Sequence, residues 1–419
     1  MAFGSGGTQL RKGPVYTERL LYAKVNADGK VELVNTLGLR AAGGGGQAEL
    51  LKKLEGGQIG QGDVDPACKL AASQRSYGAD VCECCGPAGR AVSRYNAATT
   101  GPPPCRSEGK VLILASVHDT FPKPQKASTL WLSVRDFATA QRLKRDVCLA
   151  GGAADLPMSV EYMDGDSIKA IDEAGRVLCW LISVVGIGHT LKRMWDLKIA
   201  FEALPIPFSA IIADKALWWL NPLCPAALPA PVRELTTSYG HHILVTVGEF
   251  GHGEDQRFRE RLAKFAADRP AGDVAVHPCT PAETPWCNYF RFAAAPAFRT
   301  WCIGMGLEGV SVDYALPKGE CGAPPMADDL PALRMRYSHF GCNVVHEDVA
   351  FNPGVNAHDA KMELKHEVEG MGGKLPAEHG HGTEYKAPPE AQKRWKAMDP
   401  LNVFNPGVGG LPVERRYGA

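Results

Sequence analysis

Two histidines seven positions apart, His339 and His346, bracket the segment that most limits how this chain can fold: Tyr337-Ser-His-Phe-Gly-Cys-Asn-Val-Val-His346. Side chains alternate faces along a strand, so residues seven apart on a straight strand point opposite ways. The imidazoles share one side only if the chain bends between them. Gly341 and Asn343 supply that bend, because both tolerate backbone angles that other residues avoid. Downstream stand Pro376-Ala-Glu-His-Gly-His-Gly382 and Asp399-Pro-Leu-Asn-Val-Phe-Asn-Pro-Gly407. Folded back, His339 and His346 are expected to join Glu378 as three ligands of a divalent ion such as zinc or manganese, with a position left open for substrate oxygens. The bland alternative is a pair of satisfied core histidines.

The rest of the composition bounds the setting. With 419 residues, 45% of them hydrophobic, the chain buries a large core and divides into two or three domains. Lys+Arg and Asp+Glu number 46 each, so no global field draws the molecule to nucleic acid or to a membrane. Any membrane contact is a local patch. No run approaches the roughly 18 to 20 apolar residues a spanning helix needs. Leu178-Cys-Trp-Leu-Ile-Ser-Val-Val-Gly186 is the strongest such run, and it reads as a buried strand. Met1-Ala-Phe-Gly-Ser-Gly-Gly lacks the marks of a secretory signal or a transit peptide. Thirteen cysteines without regular spacing fit a reducing compartment, and Cys82-Glu-Cys-Cys85 reads as a loop of free thiols.

Along the chain, residues 15–40 alternate apolar and polar positions around Ala27-Asp-Gly29, the pattern of a hairpin. From Ala41 to Pro104 the chain is rich in glycine and cysteine, with one short helix expected near Gln47–Leu54. Strands are expected at Lys110–His118 and Thr129–Val134, followed by a helix through Phe137–Leu149. Two more strands, His242–Val247 and Asp273–His277, flank a helix near Asp255–Ala267. Between Arg176 and Tyr239, Trp180, Trp195, Trp218 and Trp219 stand beside Lys192, Arg193, Lys198 and Lys215, which suits an interfacial patch. A proline-broken core segment is the alternative there.

The tail segments above, together with Gly4-Ser-Gly-Gly-Thr-Gln-Leu-Arg-Lys-Gly-Pro-Val-Tyr-Thr-Glu18, Arg94-Tyr-Asn-Ala97, Glu161-Tyr-Met163, His241-His-Ile-Leu244 and Arg291-Phe-Ala-Ala-Ala295, resemble the FAD-linked 2-hydroxyacid oxidoreductases. The likeness is greatest to the respiratory, quinone-linked D-lactate dehydrogenases. It implies an α+β fold, with a partial flavin domain of the p-cresol methylhydroxylase type, an antiparallel-sheet cap and a membrane-binding insert. Expected boundaries are 1–125 for the second part of the flavin domain, 126–175 and 241–370 for the cap, 176–240 for the insert and 371–419 for the return to the flavin domain. The family's first flavin lobe, which cradles the diphosphate, would lie upstream of Met1.

The resemblance also implies roles. FAD would be approached by Gly6, Gly7 and Thr8 and by Asn402 and Asn405, although a glycine-rich start is equally a loose terminus and Asn-Pro-Gly equally a helix stop. His379 would accept the hydroxyl proton of a D-2-hydroxy acid, with His381 ranked second. Arg291 would clamp the carboxylate, with Arg299 as the alternative. The expected reaction is oxidation of D-lactate to pyruvate with electrons passed to quinone, on the reducing side of a membrane surface and without a spanning helix. A truncated or flavin-free binding protein, or a metal-dependent hydrolase using the same ligands, are the competing readings.

Overall fold

The computed structural model describes residues 6–7, 9–40, 46–83, 92–94, 101–319 and 322–418. They form two compact units: a smaller one from Met1–Gly78, Arg94–Pro122 and Leu375–Ala419, and a larger one from Ala79–Ser93 and Lys123–Lys374. The α+β class holds for both.

In the smaller unit, strands β1 (Leu20–Val25), β2 (Val31–Asn35) and β3 (Leu112–Ser116) pair antiparallel with β1 in the middle. The β1–β2 turn is the expected one, with Gly29 at φ 81°, a conformation that glycine adopts without cost. A central strand is apolar on both faces, and β1 is: Leu20 and Tyr22 pack on Trp395 and Met398, while Leu21 packs with Leu37 and Leu50. Leu50 lies on the helix Gln47–Glu55, where a short helix is expected, and Trp395 on Pro389–Met398. Trp395 is fully buried, and its Nε1 donates to the Arg106 carbonyl at 3.0 Å. The C-terminal segment thus completes the core of a sheet whose first two strands lie within the first forty residues.

The larger unit is built on a wholly antiparallel sheet in the order β7 (Val274–Cys279), β4 (Lys126–Val134), β6 (His241–Glu249), β5 (Ser159–Asp164), β9 (Pro331–His339), β10 (Val344–Phe351), β8 (Gly309–Ala315). One face carries Trp131, Met163, Leu244 and Met335 against Ile171, Phe290, Phe298 and Trp301 from the helices Gly165–Ala174, Glu283–Phe292 and Ala294–Met305. Each large side chain buried in this way contributes about 1.5–3 kcal/mol. Asp164 ends β5 and caps the following helix, its Oδ1 accepting the Ser167 N–H at 2.8 Å and its Oδ2 the Arg336 N–H at 3.0 Å. The helix expected at Phe137–Leu149 is α-helical over Phe137–Leu143 and widens to a π-turn over Lys144–Cys148.

The reading of Leu178–Gly186 as a buried strand is wrong. Arg176–Val185 is an α-helix that buries only Cys179 and Ile182, three apart on one stripe, and Gly186 at φ 71° ends it. An apolar run this short has the same appearance in a buried strand and in a helix whose other face stays exposed. Helices His189–Glu202, Ser209–Leu220 and Ala230–Ser238 complete the region. The outer surface of 184–223 is unusually apolar: Val184, Leu197, Phe208, Trp219 and Leu223 are 81%, 72%, 71%, 70% and 78% exposed. No described helix is long and apolar enough to cross a membrane.

Candidate active site

The bend read from the sequence is where it was expected. β9 ends at His339, Phe340–Cys342 form one tight turn, Asn343 takes φ 53°, and β10 begins at Val344. The reversal puts Tyr337 opposite His346 and His339 opposite Val344. Cross-strand partners share a face. Register then adds Glu161 from β5 opposite His339, and Asp313 from β8 opposite His346.

The result is a polar row on the helix-covered side of the sheet. The Nε2 atoms of His339 and His346 lie 3.5 Å apart with their rings perpendicular. Behind them stand carboxylates: both Glu161 oxygens are 3.0 Å from Nδ1 of His339, and Asp313 Oδ1 is 3.3 Å from Nδ1 of His346, without hydrogen-bond alignment. A carboxylate that takes the Nδ1 proton leaves the lone pair on Nε2. Glu161 does this for His339, so the His339 Nε2 lone pair faces Nε2 of His346, an arrangement that suits a shared proton or a cation between the two rings. A carboxylate behind each imidazole is also the usual support of a histidine ligand.

Arg291 reaches the row from the helix Glu283–Phe292. Its Nη2 is 2.8 Å from Glu161 Oε2, and its guanidinium lies over the Tyr337 ring at 4.8 Å. That ion pair is close but poorly aligned, and among the described residues Nε and Nη2 of Arg291 make no hydrogen bond. Burial raises the Glu161 carboxyl, but His339 and Arg291 together outweigh it and hold the group below its ordinary range. Tyr337 stacks on His346 and donates to Asp348 Oδ2 at 2.8 Å. Arg299, the alternative clamp, pairs instead with Glu202 and Asp214, each at 3.0 Å.

The remaining candidates belong to the smaller unit. Glu378 is buried, and its Oε1 accepts from Arg94 Nη1 at 2.7 Å and from the Gly6 N–H at 3.3 Å. Arg94, itself buried, also donates to the carbonyls of Gly7 and Gln9 and to the Tyr77 hydroxyl. The chain wraps so closely that a Cβ on Gly6 would sit 2.9 Å from the Arg94 guanidinium carbon. Gly7, at φ 50°, has none of the described residues within 4 Å of where its Cβ would be. Thr8 lies outside the described residues.

His379 is exposed, whereas His381 is buried against the edge of Trp395. Glu108 takes both the His381 backbone N–H (2.8 Å) and Nδ1 (2.6 Å), and Nε2 has no hydrogen-bond partner among the described residues. Asn402 and Asn405 adopt φ 55° and 41°. Asn402 accepts from Lys110 and donates to the carbonyls of Pro412 and Glu414, and Asn405 donates to the Glu108 carbonyl. Their amides hold the turn together.

A family model described as D-lactate dehydrogenase, membrane binding, matches residues 129–417, well over half of the chain. The chain belongs to this family. Among its relatives is the quinone-dependent D-lactate dehydrogenase of Corynebacterium glutamicum, 28% identical, with 100% of this chain and 72% of that protein aligned. The enzymes of the same name from Haemophilus influenzae and Escherichia coli are 28% and 29% identical over 97% and 99% of this chain, covering 71% and 72% of their own lengths. Among solved structures, p-cresol methylhydroxylase covers 98% of this chain and 68% of its own at 12% identity and a TM-score of 0.47.

For this D-lactate dehydrogenase family member, sequence reasoning missed Glu161 as a support of His339, Asp313 behind His346, and the Arg94–Glu378 pair. Glu161 and Arg94 open segments that carry the resemblance, but nothing local marks either as buried and charged. Both become legible only through strand register and chain crossings.

Proposed function

We propose that the chain is an FAD-linked D-lactate dehydrogenase that oxidises D-lactate, or a similar D-2-hydroxy acid, to the 2-oxo acid and passes the electrons to quinone at a membrane surface. The observation that carries the reading is the paired imidazoles of His339 and His346, each backed by a carboxylate, with Arg291 alongside. Membership of the family, and relatives named for this activity, support it.

Arg291 binds the substrate carboxylate, for which a planar guanidinium with unused donors is suited. The Nε2 atoms of His339 and His346 fit a zinc or manganese ion that would orient the substrate's hydroxyl and carboxylate oxygens. Glu378, the third ligand of the sequence pattern, already accepts from Arg94 through Oε1, and its part in metal binding rests on that pattern. His379 takes the hydroxyl proton. When bound, FAD would supply the acceptor for the hydride that leaves C2. The open position at Gly7 suits close approach by such a group, and the orphaned Nε2 of His381 marks a buried polar atom in want of a partner in the same unit. Thr8 would extend the Gly6–Gly7 cradle, and Asn402 and Asn405 would contribute by shaping the turn.

The membrane surface is met by the exposed apolar side chains of 184–223, in keeping with a family described as membrane binding and with a peripheral mode of attachment. The test is a flavin spectrum of the purified chain, loaded with FAD and freed of excess, then given D- or L-lactate without oxygen. The expected outcome is a retained band that bleaches with D-lactate and not with L-lactate. Failure to retain flavin, or indifference to D-lactate, would overturn the proposal.

A further inference from the structure

A cavity of about 240 Å³ lies within the larger unit, among the helices Gly165–Ala174, Arg176–Val185, His189–Glu202, Ser209–Leu220 and Ala294–Met305. Ten of its thirteen lining residues are apolar, Leu178, Leu191 and Leu217 among them. The other three are Lys198, Asp214 and Thr300, which belong to one hydrogen-bonded group: Asp214 accepts from Lys198 at 3.0 Å and from the Thr300 hydroxyl at 3.1 Å.

We propose that this cavity binds the ring of a membrane-borne quinone, an inference that rests on the quinone-reducing reading and supplies its acceptor site. A quinone ring is flat and apolar, with carbonyl oxygens that only accept hydrogen bonds. The cavity offers that combination, an apolar pocket with a donor, Lys198, in its lining. Lys198 gives two of its three N–H donors to Glu202 and Asp214, which leaves one for a carbonyl oxygen. The volume exceeds that of an engineered cavity of about 150 Å³ that holds benzene, so a one- or two-ring quinone is of the right size. Access is continuous with the membrane-facing surface. Met194 and Trp195 line the cavity and are themselves 43% and 42% exposed, on the helix that also presents Leu197 and Ile199 to solvent. A ligand dissolved in the bilayer therefore meets the cavity without crossing water.

The test uses the full chain and a tailless azido-naphthoquinone, photolysed in place and mapped by mass spectrometry. Adducts are expected in the stretches 178–181, 191–217 and 296–300, competed by unlabelled naphthoquinone, and reduced at least tenfold by Ala213→Phe, which fills the space. Circular dichroism of that variant guards against misfolding, and mapping of the unmodified chain stands without it. Adducts confined to other segments, or displaced by a lysophospholipid and not by naphthoquinone, would overturn the proposal, the latter result identifying an acyl-chain site. D-Lactate oxidation by an artificial dye, measured on the same sample, separates the two readings: labelling in the cavity without dye-linked activity supports the quinone site and overturns the lactate reaction.

Discussion

At the scale of single residues, Glu161 holds the most consequential position. It is 3% exposed, takes the Nδ1 proton of His339 and lies against Arg291, so one carboxylate orients the proposed ligand and the proposed clamp. Supporting carboxylates of this kind typically matter by about 10- to 100-fold in metal affinity or activity. Glu161→Gln is expected to lower kcat/KM for D-lactate by about that factor and to lower bound metal, measured by elemental analysis, with an unchanged circular dichroism spectrum. Full activity in the variant would remove Glu161 from the site.

A second residue-scale prediction concerns pH. Burial pushes Asp164 up to about 6, against the hydrogen bonds from Ser167 and Arg336 that favour its charge. Unfolded, the group titrates near its ordinary value of about 4. Between those values the folded chain keeps a proton that the unfolded chain has lost, so this residue's contribution to stability falls as pH rises from about 4 to 6. The full shift corresponds to no more than about 3 kcal/mol, and residual exposure of Asp164 makes the real figure smaller. His242 acts in the other sense. Burial brings it down to about 4, so stability from this group grows as pH rises toward its ordinary value. Asp164→Asn keeps an acceptable helix cap and removes the first effect. Its melting temperature is expected to gain on the parent's between pH 5 and pH 7, as followed by circular dichroism, and parallel curves would refute this.

At the scale of elements, the insert helices invite a test of how the surface holds a membrane. Lys198, Glu202, Asp214 and Arg299 neutralise one another and Lys192 pairs with Asp196, which among the described residues leaves only Arg193 and Lys215 outside the ion pairs of the helices His189–Glu202 and Ser209–Leu220. Adhesion should be hydrophobic in the main. Each large apolar group contributes about 1.5–3 kcal/mol when fully buried. Leu197→Ser with Trp219→Ser should therefore weaken vesicle co-sedimentation by at least tenfold, while 0.5 M salt changes it by less than about threefold. Release by salt alone would point to headgroup charge instead.

Elements also mark the limit of what the sequence revealed. The β1–β2 hairpin, the short helix at Gln47–Glu55, the strands β4, β6 and β7 and the His339–His346 bend were legible because each has a local cause: alternation, an Asp-Gly turn, leucines at helical spacing, or a residue pair tolerant of positive φ. The helix Arg176–Val185 was misread because its nine-residue apolar run lacks a polar stripe that would reveal its period. Arg94 and Glu378 are 284 positions apart, and no local pattern announces a buried pair made across that span.

At the scale of the whole molecule, an exposed apolar surface of this extent is rare on a soluble monomer. The chain should self-associate in plain buffer and become monodisperse when a mild detergent covers residues 184–223. Light scattering with and without detergent checks this, and a monodisperse particle in both would show that the surface is satisfied in some other way.

The smaller unit is drawn from three separated stretches of chain, and Trp395 and Met398 from the last of them pack on β1 from the first. On the ribosome the order of events follows. The Lys123–Lys374 stretch emerges as one run and can begin to fold during translation, whereas β1 must wait for partners synthesised about 370 residues later. At about 5–20 residues per second that delay is tens of seconds or more. During that interval Leu20 and Tyr22 lack Trp395 and stand open to chaperones and proteases, which makes the pace of synthesis a determinant of how much of this protein reaches its finished form.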